Sequence, residues 1–229
     1  MINTFILLVA FFLFLFFLYY LARDDFVIIR KDIALDKIFT MAIISGIVTL
    51  IFARFFFVIF NFKQIYLNPL VFLAIPYYPG LSLIGGVVSG EVFVYMYALF
   101  KKMPVGRLTD LFTMAFIGVF PIAYMFHIFL LLGRESALEN VIFVSAIVLL
   151  FVFTKLLFPF ASKGEIRDGT LALIFVLILA FIYFTGKLFL DVKDFSFMMP
   201  ENIFILVTFF VSLILIINQE LINKYLTKK

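Results

Sequence analysis

Long apolar runs separated by short charged connectors make up most of the chain. A helix that crosses a bilayer needs about 20 mainly apolar residues, and seven runs meet that length, at 4–22, 38–60, 80–100, 108–132, 140–160, 169–190 and 202–222. The first run follows no basic stretch and precedes no small-residue cleavage site, so we expect it to be retained. The pattern predicts an all-α integral membrane protein with seven transmembrane helices in a single domain and no sizeable soluble head.

The apolar pattern breaks just before the third run. Residues 70–78 are apolar but too short to cross, which predicts a re-entrant or interfacial segment. Pro76, Pro79 and Gly80 forbid a continuous helix there. The helix that follows begins with small residues, which let another backbone or a lipid headgroup approach: Ser82, Gly85, Gly86, Ser89 and Gly90. Its first N–H groups suit a phosphate. The alternative is a helix packing seam.

Lysine and arginine are unevenly divided between the two sets of connectors. Thirteen of the eighteen fall on one side: Arg23, Arg30, Lys31, Lys37, Lys101, Lys102, Arg107, Lys155, Lys163, Arg167, Lys224, Lys228 and Lys229. The other side carries Lys63, Arg134, Lys187 and Lys193. Because cytoplasmic connectors collect positive residues, this predicts an outside N-terminus and a cytoplasmic C-terminus. The break before the third run then lies at the outer face.

Composition narrows the chemistry. The chain is 66% hydrophobic and 14% charged, whereas soluble domains are about half apolar and about a quarter charged. It has no cysteine and one histidine, which excludes disulfides and thiolate or histidine-rich metal sites, so we expect no metal and no cofactor. No basic patch suits nucleic acid. The few acids within the runs and the lack of an inverted repeat disfavour a transporter.

Four sequence features together resemble the prolipoprotein diacylglyceryl transferase family. Arg54 is followed by an aromatic-rich run that ends at Asn68-Pro69. The stretch 80–89 resembles the family's Gly-Leu-Ser-Phe-His-Gly-Gly motif, and the basic turn Lys101-Lys102-Met103-Pro104 precedes an aspartate, Asp110. Lys187 and Asp191 resemble a charge pair near the family's C-terminal end. The resemblance covers about 35–217 and is most specific over 66–90.

The chain also departs from the family pattern. Ile84 stands where the family motif has a histidine. The family's Gly-Arg-x-Gly-Asn-Phe signature falls on 123–132, where Tyr124 replaces the arginine and His127 replaces the first asparagine. Only 133–139 remain where the family has an outer head domain. These departures affect the expected catalysis more than the expected fold.

The resemblance implies transfer of a diacylglyceryl group from phosphatidylglycerol to a lipoprotein cysteine thiol. The implied partners are an anionic phospholipid and a lipoprotein precursor, in the plasma membrane of a prokaryote as a multi-pass protein. The candidate lipid- or phosphate-binding residues are Arg54, Lys187, Asp191, Tyr124, Ser82, Gly85 and Gly86. Glu91 and His127 are the candidate catalytic bases.

Each candidate also has a structural interpretation. Arg54 and Glu91 could form a buried ion pair that joins the second and third runs. His127 could hydrogen-bond between helices, and Lys187 with Asp191, four residues apart, could be a helix-end ion pair. Asp110 suits a helix cap. The alternative function is therefore a non-catalytic relative that binds anionic phospholipid or a partner helix.

Overall fold

The structure is a computed structural model, and it describes residues 2–75, 77–78, 80–131, 137–190 and 196–222. Its α-helices are α1 (Ile2–Arg23), α2 (Phe26–Arg30), α3 (Leu35–Phe60), α4 (Pro69–Leu73), α5 (Leu83–Phe100), α6 (Val105–Leu131), α7 (Ala137–Val152), α8 (Phe158–Ser162), α9 (Thr170–Leu190) and α10 (Pro200–Ile217). A 3₁₀ turn covers Gln64–Leu67, and π-helical turns cover Phe153–Leu157 and Asn218–Ile222.

Seven of these helical segments are long and apolar enough to cross a membrane. They are Phe5–Arg23, Leu35–Phe60, Leu83–Phe100, Val105–Phe126, Leu138–Ser162, Thr170–Phe189 and Pro200–Glu220. The described part of the chain contains no strand. The prediction of an all-α membrane protein with seven spans is therefore confirmed. The single-domain division and the inside–outside orientation stay predictions.

Helix α6 lies at the centre of the bundle. Within its candidate span, 72% of the residues are buried inside the protein, against 11% in α1. It contacts α1, α5, α7 and α9, while α3 packs on α5 and α10 packs on α9. Two apolar clusters result, one around α1, α2, α3, α5 and α6, and one around α5, α6, α7 and α9. The peripheral helices leave large apolar side chains exposed, as a lipid-facing surface requires.

The chain between α3 and α5 turns back along α3 instead of continuing away from it. The backbone N–H of Ser82 donates to the carbonyl oxygen of Ala53 at 2.9 Å. Since α3 ends at Phe60 and a helix rises 1.5 Å per residue, α5 begins about 10 Å back from the end of α3. The irregular segment predicted before the third span is therefore present and lies beside α3.

At the opposite end of the bundle, buried charges tie the helix ends together. Asp25 caps α2 by accepting from the N–H groups of Val27 and Ile28, and it also accepts from Arg107 Nε at 2.7 Å. Arg107 Nη1 lies 3.7 Å from Asp168. Helix α2 lies within a connector that the sequence predicted only to be charged. One ion-pair network thus joins α2, the start of α6 and the loop before α9.

Asp110 caps a helix, as expected, but the helix that it caps is α9 and not α6, to which it belongs. Its two carboxylate oxygens accept from the N–H groups of Gly169 at 2.7 Å and Ala172 at 3.0 Å. Both N–H groups belong to the N-terminal end of α9, where the first donors have no partner within the helix. Asp110 therefore fixes the start of α9 against α6.

Candidate functional site

The Arg54 side chain is buried against the returning segment, the chain between α3 and α5 that turns back along α3. It is 1% exposed, and its guanidinium donates to three backbone carbonyls: Nε to Phe72 at 3.0 Å, Nη1 to Gly80 at 2.8 Å and Nη2 to Val71 at 3.4 Å. The guanidinium carbon also lies 5.5 Å from the ring centre of Phe57 and 5.2 Å from that of Tyr66. Arg54 thus satisfies two carbonyls of the last turn of α4, which have no partner within that helix, and the carbonyl of Gly80.

The structural interpretation of Arg54 as the ion-pair partner of Glu91 is wrong. Both residues belong to the described part of the chain, and no salt bridge joins them there. The reason is that backbone carbonyls of 71–80, held beside α3, take three of the five guanidinium donors. Among the described residues, one N–H on each of Nη1 and Nη2 has no acceptor.

Ser82 and the two glycines after it pack α5 closely onto α3. Ser82 Oγ caps the helix by accepting from the N–H of Gly85 at 3.1 Å. A Cβ added to Gly85 would lie 2.6 Å from the Cβ of Phe56, and one added to Gly86 would lie 3.1 Å from the Cβ of Ala53. These contacts are those of the packing seam considered as the alternative. Lipid contact by Ser82, Gly85 and Gly86 stays a prediction.

Glu91 lies at a different interface, between α5 and α6. Its Oε1 accepts from the hydroxyl of Thr113 at 2.5 Å, while Oε2 is buried and has no hydrogen-bond partner among the described atoms. The neighbouring Gly90 faces Thr49 of α3, five residues before Arg54, which is about 7.5 Å along that helix. The structure therefore separates Glu91 from Arg54 in depth. Thr113 gave no signal in the sequence, because threonine is common in apolar helices.

Lys187 forms an ion pair with a residue that sequence reasoning missed. Its Nζ contacts Glu201 Oε2 in the first turn of α10 and lies 5.8 Å from the ring centre of Tyr183. Asp191, its expected partner, lies outside the described residues. A signal for Glu201 existed, since it follows Pro200 at the start of an apolar run, where acids favour a helix N-terminus.

Beside Glu201, Asn202 is a buried polar residue with one unsatisfied atom. Its Nδ2 donates to the carbonyl of Ser196 at 2.8 Å, and its Oδ1 has no partner among the described atoms. The ring of Phe204 lies 4.7 Å from that of Phe56 on α3. This contact joins the start of α10 to the part of α3 that carries Arg54. Arg54 and the Lys187–Glu201 ion pair therefore lie at the same end of the bundle.

Tyr124 and His127 lie towards that end on α6. Tyr124 packs edge-on against Phe120, with ring centres 5.4 Å apart, within the cluster around α6 and α7. His127 follows about one helical turn later, and its side chain lies outside what the structure describes. Ile84, at the position of the family histidine, is fully buried in the same cluster. The described geometry thus brings Arg54 and Lys187 to one end without direct contact.

Comparison with known proteins gives one family match. The model of a family described as prolipoprotein diacylglyceryl transferase matches residues 3–126. The matched residues include Arg54, the returning segment, Glu91 and Tyr124, whereas Lys187 lies beyond them. No curated protein and no solved structure matches the chain.

Proposed function

Because the chain belongs to the prolipoprotein diacylglyceryl transferase family, we propose that it transfers a diacylglyceryl group from phosphatidylglycerol to a lipoprotein cysteine thiol. In that reaction the thiol sulfur bonds to the glyceryl carbon that carries the phosphate. The carbon–oxygen bond breaks, and its electron pair leaves with glycerol phosphate. The thiol proton passes to a base. The protein must therefore supply a cation for the leaving phosphate and a proton acceptor.

Arg54 is the observation that carries the proposal. Its guanidinium has one N–H on each of two nitrogens with no acceptor in the described part of the chain, and paired N–H groups of this kind match phosphate oxygens. Since Arg54 is 1% exposed, a phosphate contacts these donors only if the chain between α3 and α5 moves away from them. Lys187 lies at the same end, where its charge is paired with that of Glu201. We assign Ser82, Gly85, Gly86, Tyr124 and Asp191 to the lipid-binding surroundings.

The proton acceptor is Glu91 or His127. Glu91 Oε2 is a buried acceptor with no described partner, which suits a group that takes a proton from a substrate. His127 lies about one helical turn beyond Tyr124, towards the end that carries Arg54. Single substitutions Glu91→Gln and His127→Gln separate the two, because each nearly preserves side-chain size while removing the titrating group.

A second function is favoured by a specific observation. Ile84 fills the core at the position of the family histidine, and three of the Arg54 donors already bind backbone. Both features suit a non-catalytic relative that binds anionic phospholipid. In either case we place the protein in the plasma membrane of a prokaryote, with the Arg54 end outside.

A mass-spectrometric transfer assay tests the proposal. Purified protein is incubated with phosphatidylglycerol vesicles and a peptide that contains a lipoprotein-type cysteine, and the peptide mass is followed. Arg54→Ala removes the guanidinium, and Arg23→Ala is the matched control, because Arg23 is exposed and pairs only loosely with Asp24 at 3.9 Å. Folding of both variants is checked by their elution profile and thermal unfolding.

We expect diacylglyceryl peptide with the unmodified chain and with Arg23→Ala, and none with a folded Arg54→Ala. Absence of product, together with bound phosphatidylglycerol that only Arg54→Ala loses, would replace transfer by lipid binding. Absence of both product and bound lipid would overturn both functions.

A further inference from the structure

A second polar feature lies at the end of the bundle opposite Arg54. It is a pocket of about 700 Å³ between the α2–α3 connection, the first turns of α3 and the end of α5. Its lining residues are Lys31, Asp32, Ile33, Asp36, Lys37, Thr40, Tyr97, Lys101, Lys102 and Met103. A volume of this size suits a small ligand or a lipid headgroup.

The charge of this pocket is unbalanced. Four lysines and two aspartates line it, and none of the four ammonium groups has a carboxylate within 4 Å in the described part of the chain. The Nζ of Lys101 lies 5.9 Å from the ring centre of Tyr97, another lining residue. An anion that entered would meet several ammonium groups already close together, at a membrane end predicted to be cytoplasmic.

Two residues that line the pocket, one acidic and one basic, have positive φ. Asp32 and Lys102 have φ values of 50° and 55° and are the non-glycine residues with positive φ in the described chain. Each lies just after the C-terminal end of a helix, where the N–H of the next residue donates to a carbonyl five residues earlier, from Ile33 to Ile28 and from Met103 to Ala98. Glycine is the usual residue at such positions because it adopts positive φ without strain. Both positions instead carry a charged side chain into the same pocket.

Apolar side chains lie one helical turn beyond the pocket, towards the middle of the spans. On α5, Phe93 lies one turn before Tyr97, with ring centres 5.8 Å apart. On α3, Ile44 lies one turn after Thr40 on the same face and is 37% exposed. The lysine-rich pocket therefore lies one helical turn from apolar side chains of α3 and α5. A soluble phosphate compound would use only the pocket, whereas a phospholipid would use both.

We propose that this pocket binds the phosphate headgroup of an anionic phospholipid, separately from the Arg54 end. Lysine ammonium groups bind phosphate as point charges, and juxtamembrane basic groups attract anionic lipid. The bound lipid would hold the α2–α3 connection against the end of α5. The inference does not depend on catalysis, because the two sites lie at opposite ends of the spans.

Phosphatidylglycerol binding, measured by native mass spectrometry on delipidated full-length protein, tests the proposal. The pocket variant is Lys101→Gln with Lys102→Gly, in which the glycine also removes the positive-φ strain, so it is expected to fold. The matched control is Lys155→Gln with Lys163→Gln, which removes the same charge from exposed residues outside the pocket. Arg54→Ala identifies lipid bound at the other end.

The lysine substitutions are compared in chains that also carry Arg54→Ala, so that the remaining bound lipid reports on the pocket. In this background we expect the pocket variant to weaken phosphatidylglycerol binding about tenfold. The control pair should leave it within about twofold, and zwitterionic phosphatidylcholine should bind weakly to every form. Asp32→Asn, which removes a negative charge and keeps a side chain that tolerates positive φ, should tighten binding.

Several results would overturn the proposal. Equal losses in the pocket and control variants would show general charge attraction, and no loss in the pocket variant would place the lipid elsewhere. Competition by inorganic phosphate or glycerol phosphate as strong as that by the lipid would assign the pocket to a soluble phosphate compound. Loss of catalytic transfer with intact pocket binding would affect only the proposed transferase function.

Discussion

The Nη1 group of Arg54 donates a 2.8 Å hydrogen bond to the carbonyl oxygen of Gly80, 26 residues later in the chain. With its bonds to Val71 and Phe72, Arg54 holds an irregular segment against the side of α3. Irregular backbone within a membrane protein persists only where its polar groups are satisfied by protein or water. Arg54 therefore stabilises the shape of this end, whatever it also does to a lipid.

Replacing Arg54 by lysine should destabilise the protein although the charge is kept. A lysine ammonium is a compact group and cannot reach three carbonyls from the positions of Nε, Nη1 and Nη2. Each buried carbonyl left without a partner costs about 1–3 kcal/mol. We expect Arg54→Lys to lower the free energy of unfolding by about 2–4 kcal/mol in micelles. Unchanged stability with unchanged protease resistance of 71–80 would show that the contacts are dispensable.

Alanine substitution should destabilise the protein more at Gly85 than at Gly86, both in the first turn of α5. Helix propensity alone favours Gly→Ala by about 1 kcal/mol. At Gly85, however, the new methyl group would lie 2.6 Å from the Cβ of Phe56, which moves only with the α3 backbone. At Gly86 the nearest atom, the Cβ of Ala53, lies at 3.1 Å. We expect Gly85→Ala to lose about 1–3 kcal/mol and Gly86→Ala to lose less. Thermal unfolding of the two variants side by side measures the order, and the reverse order would contradict the packing seam.

The spans were predictable because a membrane imposes one strong requirement. The runs 4–22 and 169–190 correspond to the observed spans Phe5–Arg23 and Thr170–Phe189 to within one residue at each end. A long apolar run is stable in lipid as a helix, since a helix satisfies its own backbone groups. The short helix α2 was missed because five residues within a charged connector produce no such signal.

The partners of the charged residues were much less predictable. Reasoning from charge looked for a carboxylate near Arg54, whereas the structure supplies carbonyl oxygens that any sequence would carry. The bond from Arg107 to Asp25 joins residues 82 positions apart. Helices that are apolar on every side give little indication of which faces meet. The family resemblance identified Arg54 as a candidate site residue, but its hydrogen-bond partners could be identified only from the folded structure.

At the Glu91–Thr113 hydrogen bond, Thr113→Val should destabilise the protein more than Glu91→Gln does. Thr113→Val keeps the side-chain shape but removes the donor to Oε1, which leaves a buried carboxyl group with no described partner. We expect a loss of about 1–3 kcal/mol in unfolding free energy. Glu91→Gln keeps an acceptor for Thr113 and lacks the charge, so its stability should stay within about 1 kcal/mol of the unmodified chain.

Chemical denaturation in micelles, with Thr113→Ser as the control that keeps the hydroxyl, measures these differences. A large loss in Glu91→Gln with little loss in Thr113→Val would mean that Oε2 has an essential partner. If Glu91 is also the base, Glu91→Gln remains folded but loses transfer, which separates its chemical role from its structural one.

Asp110 should be required for the start of α9 because both of its oxygens cap that helix. Asp110→Asn keeps one acceptor but turns an amide donor towards the N–H of Gly169 or Ala172, so one hydrogen bond is lost within a buried site. The negative charge that favours a helix N-terminus is lost as well. We expect about 1–3 kcal/mol of destabilisation, with faster hydrogen exchange at the N–H of Ala172. Asp24→Asn, at an exposed carboxylate, is the matched control and should change neither quantity. If Ala172 kept its protection in a variant of unchanged stability, the Asp110 carboxylate would not be required for the start of α9, and α6 would be held to α9 by its apolar packing and by the ion pair of Arg107 with Asp168.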